Sequence, residues 1–466
     1  MTERNDSLLP NEQETVMVYF DPELIQTMAD RSAAKRQNFR ELLSAAEEGS
    51  LDAAYRLGLN YYEGSDGAPK DEAQALRWLT KAAEGDHIAA QYSLGMCHLR
   101  GVGTEKDPVR AVELLSGAAE QGYLPALCEL GLCYELGSGV EMSKERAAEL
   151  YREAAEQDFA PAQCNLGFFY YRGIWVEEDD REAAMWFAKA AQQGYPRAQV
   201  LMGECFENGY GVERDPEKAV QLYRAAHEQG YEAGSCALGL CYDQGVGVEK
   251  DEAEAFRLYQ ETAQEDFPRG LYLTGQCCEF GHGVEKDEAR AAELYRRAMD
   301  GGYVPAICAL GLCYETGCGV EEDRAKAAAL YRQAAGEGHA PSQCNLGYCY
   351  YRGIGVEEDN AQAFHWFTQA AEQGYPRALQ LLGECYDYGY GVDRDVEKAA
   401  ALYRAAYEKG NIPAACSLGL CYEIGSGVEQ DMAKALELYR EAAEGGSVRA
   451  QCNLGYCYYQ GVGVEE

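Results

Sequence analysis

The fold of this chain is decided by a motif that reads Ala90-Gln-Tyr-Ser-Leu-Gly-Met-Cys-His-Leu-Arg-Gly-Val-Gly-Thr-Glu-Lys-Asp107. Its Leu94-Gly95 pair recurs every 36 residues as far as Leu454-Gly455, and in two of these copies another residue replaces the leucine. An earlier copy, Leu57-Gly58, lies 37 residues upstream. A fixed period of this length is typical of repeat proteins. We therefore predict eleven complete repeats over 53–449 and a truncated twelfth over 450–466 that supplies a first helix only.

Each repeat is predicted to contain two helices. In the first, as in Ala162–Arg172, the apolar residues have helical spacing, and the helix stops at a Gly-x-Gly-Val turn. An aspartate such as Asp107 then provides the N-cap of the second helix, which carries alanines and a Leu-Tyr or Trp-Phe pair. We number repeat positions from the alanine that Ala90 represents, so that Leu94 is at position 5.

One such unit cannot bury both of its apolar faces, so neighbouring units must stack. The recurring pattern A-x-x-x-L-G-x-x-Y-x-x-G-x-G-V resembles the Sel-one-like repeat (SLR) family, a relative of the tetratricopeptide repeats. The expected fold is all-α, a right-handed α-solenoid of stacked antiparallel helix pairs with a 36-residue period. The resemblance also implies a curved superhelix, first helices on its concave side, and adaptor or scaffold work rather than chemistry.

Composition limits the function further. The 466 residues carry 41 Lys and Arg against 78 Asp and Glu, a formal net charge of −37. This surface repels phosphate backbones and anionic lipids, which argues against nucleic-acid and membrane partners and favours neutral or basic proteins. Because we find neither an apolar run of membrane-spanning length nor a signal peptide, we expect a cytoplasmic location and no membrane insertion.

The two ends differ from the repeats. Residues 1–20 are predicted to be a disordered tail, and residues 21–52 an N-terminal capping region whose last part is in phase with a second helix. The truncated repeat at 450–466 leaves apolar surface where a polar cap is expected. Either the sequence is part of a longer protein, which we favour, or this end docks onto another surface.

Most of the 19 cysteines occupy position 3 or position 8 of a first helix, as Cys128 and Cys133 do. Residues five apart lie about 140° apart around a helix, so the two cannot easily form a disulfide within it. A C-x4-C spacing along a helix is also a poor match to a zinc site. We interpret these cysteines as small buried apolar residues, with disulfides and metal binding as the weaker alternatives.

Catalytic motifs are scarce. Ser32-Ala-Ala-Lys35 has the S-x-x-K form of penicillin-interacting enzymes but lacks the partner motifs SDN and KTG. A β-lactam-binding or hydrolase-like activity, proposed for some family members, is therefore an alternative that depends on Ser32. A structural, self-associating spacer is another alternative. We expect no catalytic residues, no cofactor and no metal.

Resemblance to the tetratricopeptide repeats implies that positions 7, 10 and 11 of the first helices line a groove. Position 10 is mostly acidic, and the fourth and ninth repeats combine aromatic residues with arginine, a mixture typical of binding hot spots. The alternative is a solvated acidic face with tyrosines packed between repeats. The predicted groove residues are Phe168, Tyr171, Arg172, Glu207, Asp243, Glu279, Glu315, Tyr348, Tyr351, Arg352, Asp387 and Tyr388.

A second level of duplication relates residues 126–233 to residues 306–413 at an offset of 180 residues. Gln163-Cys164-Asn165-Leu166-Gly167, for example, recurs as Gln343-Cys344-Asn345-Leu346-Gly347. A groove that binds a ligand through these repeats could therefore bind it twice. The predicted function is a scaffold that binds a protein or an extended peptide along the concave side.

Overall fold

The structure is a computed structural model that describes residues 35–461, with side chains described from Phe39 onward. The predicted tail, the beginning of the predicted capping region and residues 462–466 lie outside the described residues. The chain divides into two compact units at the Asp251–Glu252 bond. Each unit is a stack of α helices in which helices adjacent in sequence pack against each other.

The first unit contains twelve helices among its described residues. They are α1 (Lys35–Glu47), α2 (Leu51–Glu63), α3 (Glu72–Glu84), α4 (Ile88–Arg100), α5 (Pro108–Glu120), α6 (Leu124–Leu136), α7 (Lys144–Ala155), α8 (Ala160–Arg172), α9 (Asp180–Gln192), α10 (Pro196–Asn208), α11 (Pro216–Glu228) and α12 (Glu232–Gln244).

The second unit also contains twelve helices in its described part. They are α13 (Glu252–Gln264), α14 (Pro268–Phe280), α15 (Glu288–Asp300), α16 (Val304–Thr316), α17 (Arg324–Gly336), α18 (Ala340–Arg352), α19 (Asn360–Glu372), α20 (Pro376–Tyr388), α21 (Val396–Glu408), α22 (Ile412–Ile424), α23 (Met432–Glu444) and α24 (Val448–Tyr459). The predicted all-α architecture of helix pairs at a 36-residue period is confirmed. From α2 onward, even-numbered helices are first helices and odd-numbered helices are second helices.

The turn between the two helices of a repeat forms as the sequence predicts. The first glycine, such as Gly317 with φ 74°, ends the first helix in the left-handed conformation. The predicted caps are confirmed where a cap contact is described, because each side-chain oxygen accepts a hydrogen bond from a backbone N–H of the following helix. These capping residues are Asp107, Ser143, Asp215, Asp287, Asp323, Asp359, Asp395 and Asp431.

Close packing within a repeat explains the Leu-Gly pair. In the seventh repeat, a Cβ added to Gly275 would lie 2.6 Å from Cε1 of Tyr295, so only glycine allows this ring to pack against α14. Tyr295 is fully buried, as are its neighbours Ala291 and Ala298 on α15. The alanines and the glycine let the helices approach, and the ring fills the space between them.

Candidate functional site

The candidate site is a surface on the first helices, which we call the first-helix face and define by repeat positions 7 and 11. Positions 1, 5 and 8 point into the core, as buried Ala306, Leu310 and Cys313 of α16 do. Positions 7 and 11 lie four residues apart, so they share one stripe of the same helix. On α16 these positions are Leu312 and Thr316, and both are exposed.

Large apolar side chains are exposed along this face. At positions 7 and 11, six such residues are between 44% and 62% exposed. They are Leu136, Phe280, Leu312, Tyr388, Ile424 and Tyr456. Exposed apolar residues that recur on one face of a protein are typical of an interaction surface.

An aromatic cluster lies beside this face in the first unit. Arg197 of α10 lies over the ring of Phe168 of α8, with 5.9 Å from its guanidinium carbon to the ring centroid. The Phe168 and Tyr171 centroids are 6.4 Å apart, and Tyr171 and Tyr210 are 5.9 Å apart. Arg197 is held in place by its Nη1 atom, which donates a hydrogen bond of 3.0 Å to Asn165 Oδ1. We call Phe168, Tyr171, Arg197 and Tyr210 the unit-1 cluster.

The second unit contains the same arrangement 180 residues further along the sequence. Arg377 lies 5.4 Å from the Tyr348 centroid and donates a hydrogen bond of 3.2 Å to Asn345 Oδ1. The Tyr348 and Tyr351 centroids are 6.4 Å apart, and Tyr351 and Tyr390 are 5.4 Å apart. We call Tyr348, Tyr351, Arg377 and Tyr390 the unit-2 cluster. The predicted duplication therefore extends to side-chain geometry within each unit.

An exposed ring adjoins the unit-2 cluster and has no aromatic counterpart beside the unit-1 cluster. Tyr388 at position 11 of α20 is 53% exposed, and its centroid is 5.6 Å from that of Tyr390. The corresponding residue of the first unit is Asn208. Of the other predicted aromatic residues, Phe168, Tyr348 and Tyr351 are half-buried.

Tyr171 differs from the other predicted aromatic residues because its side chain is only 5% exposed. Its ring packs against Phe187 of α9, with 6.4 Å between the centroids. The predicted arginines Arg172 and Arg352, at position 11, are exposed. The accessible rings of the unit-1 cluster are therefore those of Phe168 and Tyr210, which are half-buried, and exposed Arg172 lies beside the cluster.

The acidic residues of position 10 have a structural partner that the sequence reasoning missed. Glu207, Glu279 and Glu315 each accept a hydrogen bond, 2.6–2.7 Å long, from the tyrosine hydroxyl 16 residues further along. Burial and the neighbouring carboxylate both raise the pKa of Tyr295, so its phenol remains a donor. Glu135 and Glu423, which were not among the predicted site residues, make the same bond. These carboxylates already stabilise the pairing of the two helices.

Two predicted acidic residues are aspartates. Asp387 lies 3.8 Å from Arg394 Nη2, and Arg394 Nε also donates a hydrogen bond of 2.7 Å to its carbonyl oxygen. Asp243, on α12, is half-buried. Both remain predicted groove residues on the edge of the first-helix face.

The cysteines are free thiols, and 17 of the 19 are buried, as their interpretation as small apolar residues predicts. Position 3 cysteines also accept weak hydrogen bonds from asparagine, at 3.5 Å for Asn165 and Cys128 and 3.6 Å for Asn345 and Cys308. Burial raises the pKa of Cys344 to about 12, so this thiol is protonated near neutral pH.

The described residues do not include the candidate β-lactam site. Ser32, on which the β-lactam alternative depends, lies outside the described residues. Within residues 35–461, no three or more His, Cys, Asp or Glu side chains are grouped in a way that could hold a metal ion. In the same range, every helix is too short or too polar to cross a bilayer.

The exposed apolar residues of the first-helix face were not singled out from the sequence, apart from Tyr388. Phe280 and Ile424 occupy position 11, as Leu136 and Tyr388 do. The other repeats carry glutamate, arginine, asparagine, glutamine or threonine there, so a position-by-position comparison of the repeats could have found them. Reasoning from charge drew attention to position 10 instead. The tyrosine partners of its acids lie on the second helix.

Comparison with known proteins agrees with this architecture. The sequence model of the Sel1 repeat matches twelve segments, at 51–87, 88–123, 124–159, 160–195, 196–231, 233–267, 268–303, 304–339, 340–375, 376–411, 412–447 and 448–466. Among solved structures, the chain is similar to c5321, a protective antigen of uropathogenic Escherichia coli strains with an SLR fold. The identity is 32% and the TM-score 0.53, over 91% of this chain and 90% of that one.

Two further similarities are shorter. A Sel1 repeat protein from Oxalobacter formigenes is 29% identical over 52% of this chain and 96% of its own, with a TM-score of 0.45. The ERAD-associated E3 ubiquitin-protein ligase component HRD3A of Arabidopsis thaliana is 34% identical over 67 residues. That match spans only 10% of the length of HRD3A and 14% of this chain. Because the repeat matches run from residue 51 to residue 466, the chain belongs to the Sel1 repeat family.

Proposed function

We propose that this protein is a non-enzymatic scaffold that binds a protein or an extended peptide along the first-helix face. The observation that carries the proposal is the row of exposed apolar residues at positions 7 and 11, on helices whose other faces are buried. These residues lie in six of the twelve repeats, one in the first unit and five in the second, and stacked repeats offer a modular surface for binding. Its features recur from repeat to repeat, whereas a catalytic centre requires one singular set of residues.

The two clusters and the exposed arginines beside them supply the polar part of this recognition. Arginine and tyrosine are enriched in binding hot spots, and Arg172 and Arg352 are exposed on the same face. An exposed guanidinium can bind a carboxylate or a backbone carbonyl of a bound peptide. With a net charge of −37, the protein attracts neutral or basic segments most readily.

The proposal includes a cytoplasmic location. Nineteen free thiols suit a reducing compartment, where thiols are kept from forming disulfides. The proposal includes no nucleic-acid partner, because phosphate backbones are repelled by the acidic surface.

A peptide-display selection on the full chain tests this function. We expect enriched peptides to carry basic and apolar residues and to bind the purified protein. A variant with Phe280, Leu312, Tyr388 and Ile424 changed to serine should lose binding by about tenfold or more, because these residues are the apolar anchors. The matched control changes Met185 and Val448 to serine, since both are exposed apolar residues outside the face.

Circular dichroism establishes that both variants are folded before binding is measured. Equal binding by the wild type and the face variant would contradict the proposal. Loss of binding in the control variant alone would contradict it as well.

A further inference from the structure

A second apolar surface lies on the edge formed by the turns of the second, third and fourth repeats. Val109, Met142 and Trp175 are 58%, 61% and 62% exposed. We call these three residues the turn strip. They lie outside the first-helix face, because Met142 and Trp175 belong to turns and Val109 is the second residue of α5.

All three residues depart from the repeat pattern. Trp175 stands where each of the other repeats from the second to the eleventh has the second glycine of the turn. Met142 occupies a position that is charged or glutamine in the other complete repeats, and the position of Val109 is otherwise alanine or charged. Three exposed apolar departures in consecutive repeats therefore share one edge of the molecule.

Contacts between repeats bring these residues together. A Cβ added to Gly139, in the turn that contains Met142, would lie 2.8 Å from the backbone nitrogen of Val109. Each turn thus rests on the start of the second helix of the preceding repeat. By the same relation, the turn that carries Trp175 rests on the start of α7 at Lys144, two residues beyond Met142. The turn strip is consequently continuous over three repeats.

Trp175 adopts its conformation at a cost. Its φ is 60°, in the left-handed region that bulky residues rarely occupy. Glycine at this position has the same sign of φ, 73° at Gly139 and 68° at Gly211, without that cost. Strain that packing does not require marks a functional position, and an exposed tryptophan is the residue type most enriched in binding hot spots.

The unpaired charges beside the turn strip are mainly negative within the described residues. Glu105, Glu141 and Glu177 occupy one repeat position in the three turns, are exposed, and have no ion pair within the described residues. Among the neighbouring cations, Arg110 is paired with Glu113 and Arg146 with Glu149, both at 2.6 Å. Lys144 Nζ lies 4.0 Å from Glu135 Oε1, and Lys106 also lies at this edge. A ligand that covers the turn strip should therefore carry basic residues beside its apolar ones.

We propose that the turn strip docks a basic amphipathic helix. Neighbouring repeats are about 10 Å apart, and residues seven apart on a helix are separated by about 10.5 Å on the same side. An extended strand covers that distance in about three residues, but residues three apart on a strand point to opposite faces. A bound helix with an apolar residue at every seventh position, flanked by lysine or arginine, can contact Val109, Met142 and Trp175 in turn.

The test uses the full chain and a synthetic helical peptide of about 20 residues with leucine at every seventh position and lysines beside it. We expect binding in calorimetry and a blue shift of tryptophan emission as Trp175 leaves water. Trp175→Gly, which installs the residue of the other repeats, should weaken binding by about tenfold or more. The four-serine variant of the first-helix face should bind this peptide normally, which separates this proposal from the first.

Three results would overturn the inference. They are absence of binding to the wild type, equal binding by Trp175→Gly, and equal binding of a peptide in which glutamate replaces lysine. Met185→Ser is the control for an exposed apolar residue outside both surfaces, and it should leave binding unchanged.

Discussion

At the scale of single residues, the repeats act as internal references for each other. Gly355 is the counterpart of Trp175 in the ninth repeat, and a Cβ added there would lie 1.9 Å from the carbonyl oxygen of Arg324. The ninth repeat therefore requires glycine at this position for packing, whereas the fourth repeat carries tryptophan. Trp175 differs from nine equivalent glycines, and this departure indicates a local function or a local cost more clearly than the residue type alone.

Trp175→Gly should increase the free energy of unfolding by about 1 kcal/mol, because it removes a bulky residue from the left-handed region. The increase would appear as a higher urea midpoint or melting temperature. Gly355→Trp is the reciprocal change, and it should be clearly destabilising. A decrease in stability for Trp175→Gly would mean that the indole contributes more packing than its 62% exposure indicates.

Glu129 gives the stability a defined pH dependence. It is only 9% exposed on α6, and burial raises its pKa from 4.5 to about 7, although the Arg100 charge opposes the shift. Because the folded state holds the proton more tightly than the unfolded state, the stabilisation is complete below pH 4.5. It is lost as the pH rises through about 7.

Glu129→Gln should therefore match the wild type near pH 4 and be more stable by about 3 kcal/mol near pH 8. Urea unfolding at the two pH values measures the difference, and titrations of other groups cancel between the two proteins. A stability difference that is the same at both pH values would rule out Glu129 as the titrating group.

At the scale of helices, the partner of a residue explains its type. A second-helix tyrosine, as at 151, 223, 295, 331 and 439, donates a hydrogen bond to a position 10 glutamate of its own repeat. In the fourth and ninth repeats, Phe187 and Phe367 lack the hydroxyl, and position 10 is Tyr171 or Tyr351. The type of residue at position 10 therefore depends on whether its partner on the second helix is a tyrosine or a phenylalanine, and this explains Tyr171 and Tyr351 in the two clusters.

Replacing the Glu279–Tyr295 pair of the seventh repeat by the tyrosine–phenylalanine pair of the fourth repeat tests this relation. Tyr295→Phe should cost roughly 1.5–3 kcal/mol, because it removes a hydrogen bond to a charged acceptor. Glu279→Tyr should also destabilise the protein, since it leaves the Tyr295 hydroxyl without its hydrogen-bond acceptor. The double variant reproduces Tyr171 and Phe187 of the fourth repeat. Its loss of unfolding free energy should therefore be smaller than the sum of the two single losses by about 1 kcal/mol or more.

Glu279→Tyr combined with Tyr331→Phe provides the control for this cycle. Tyr331 bonds to Glu315 rather than to Glu279, so the two effects should add within about 0.5 kcal/mol. Additivity in the Tyr295 cycle would show that the hydrogen bond does not select these residue types.

At the scale of the whole molecule, the sequence was sufficient to predict the architecture. The period, the Leu-Gly pair and the capping aspartates repeat so regularly that helix bounds follow from local rules. The site was harder to predict, because exposure depends on contacts between helices. Charge alone directed attention to Glu279, whose oxygen is engaged by Tyr295, whereas exposed Phe280 is the next residue in the sequence.

The distribution of thiols gives a prediction for the folded chain as a whole. Cys452 is exposed and Cys318 is partly exposed, while the other 17 cysteines are buried. Burial also raises the pKa of Cys133 to about 12, which lowers its fraction of reactive thiolate. We expect Ellman's reagent to label Cys452 rapidly, Cys318 more slowly, and all 19 only in denaturant. Cys452→Ser should remove the fast phase, and rapid labelling of many thiols in the native protein would contradict the buried arrangement.

The most direct test of the proposed function maps where a bound peptide lies. A peptide from the display selection, carrying a photoreactive phenylalanine derivative, is crosslinked to the full chain, and the modified residues are identified by mass spectrometry. Binding along the first-helix face predicts crosslinks at positions 7 and 11, at Phe280, Leu312, Tyr388 or Ile424. Crosslinks confined to the second helices, with none on the first-helix face, would contradict it.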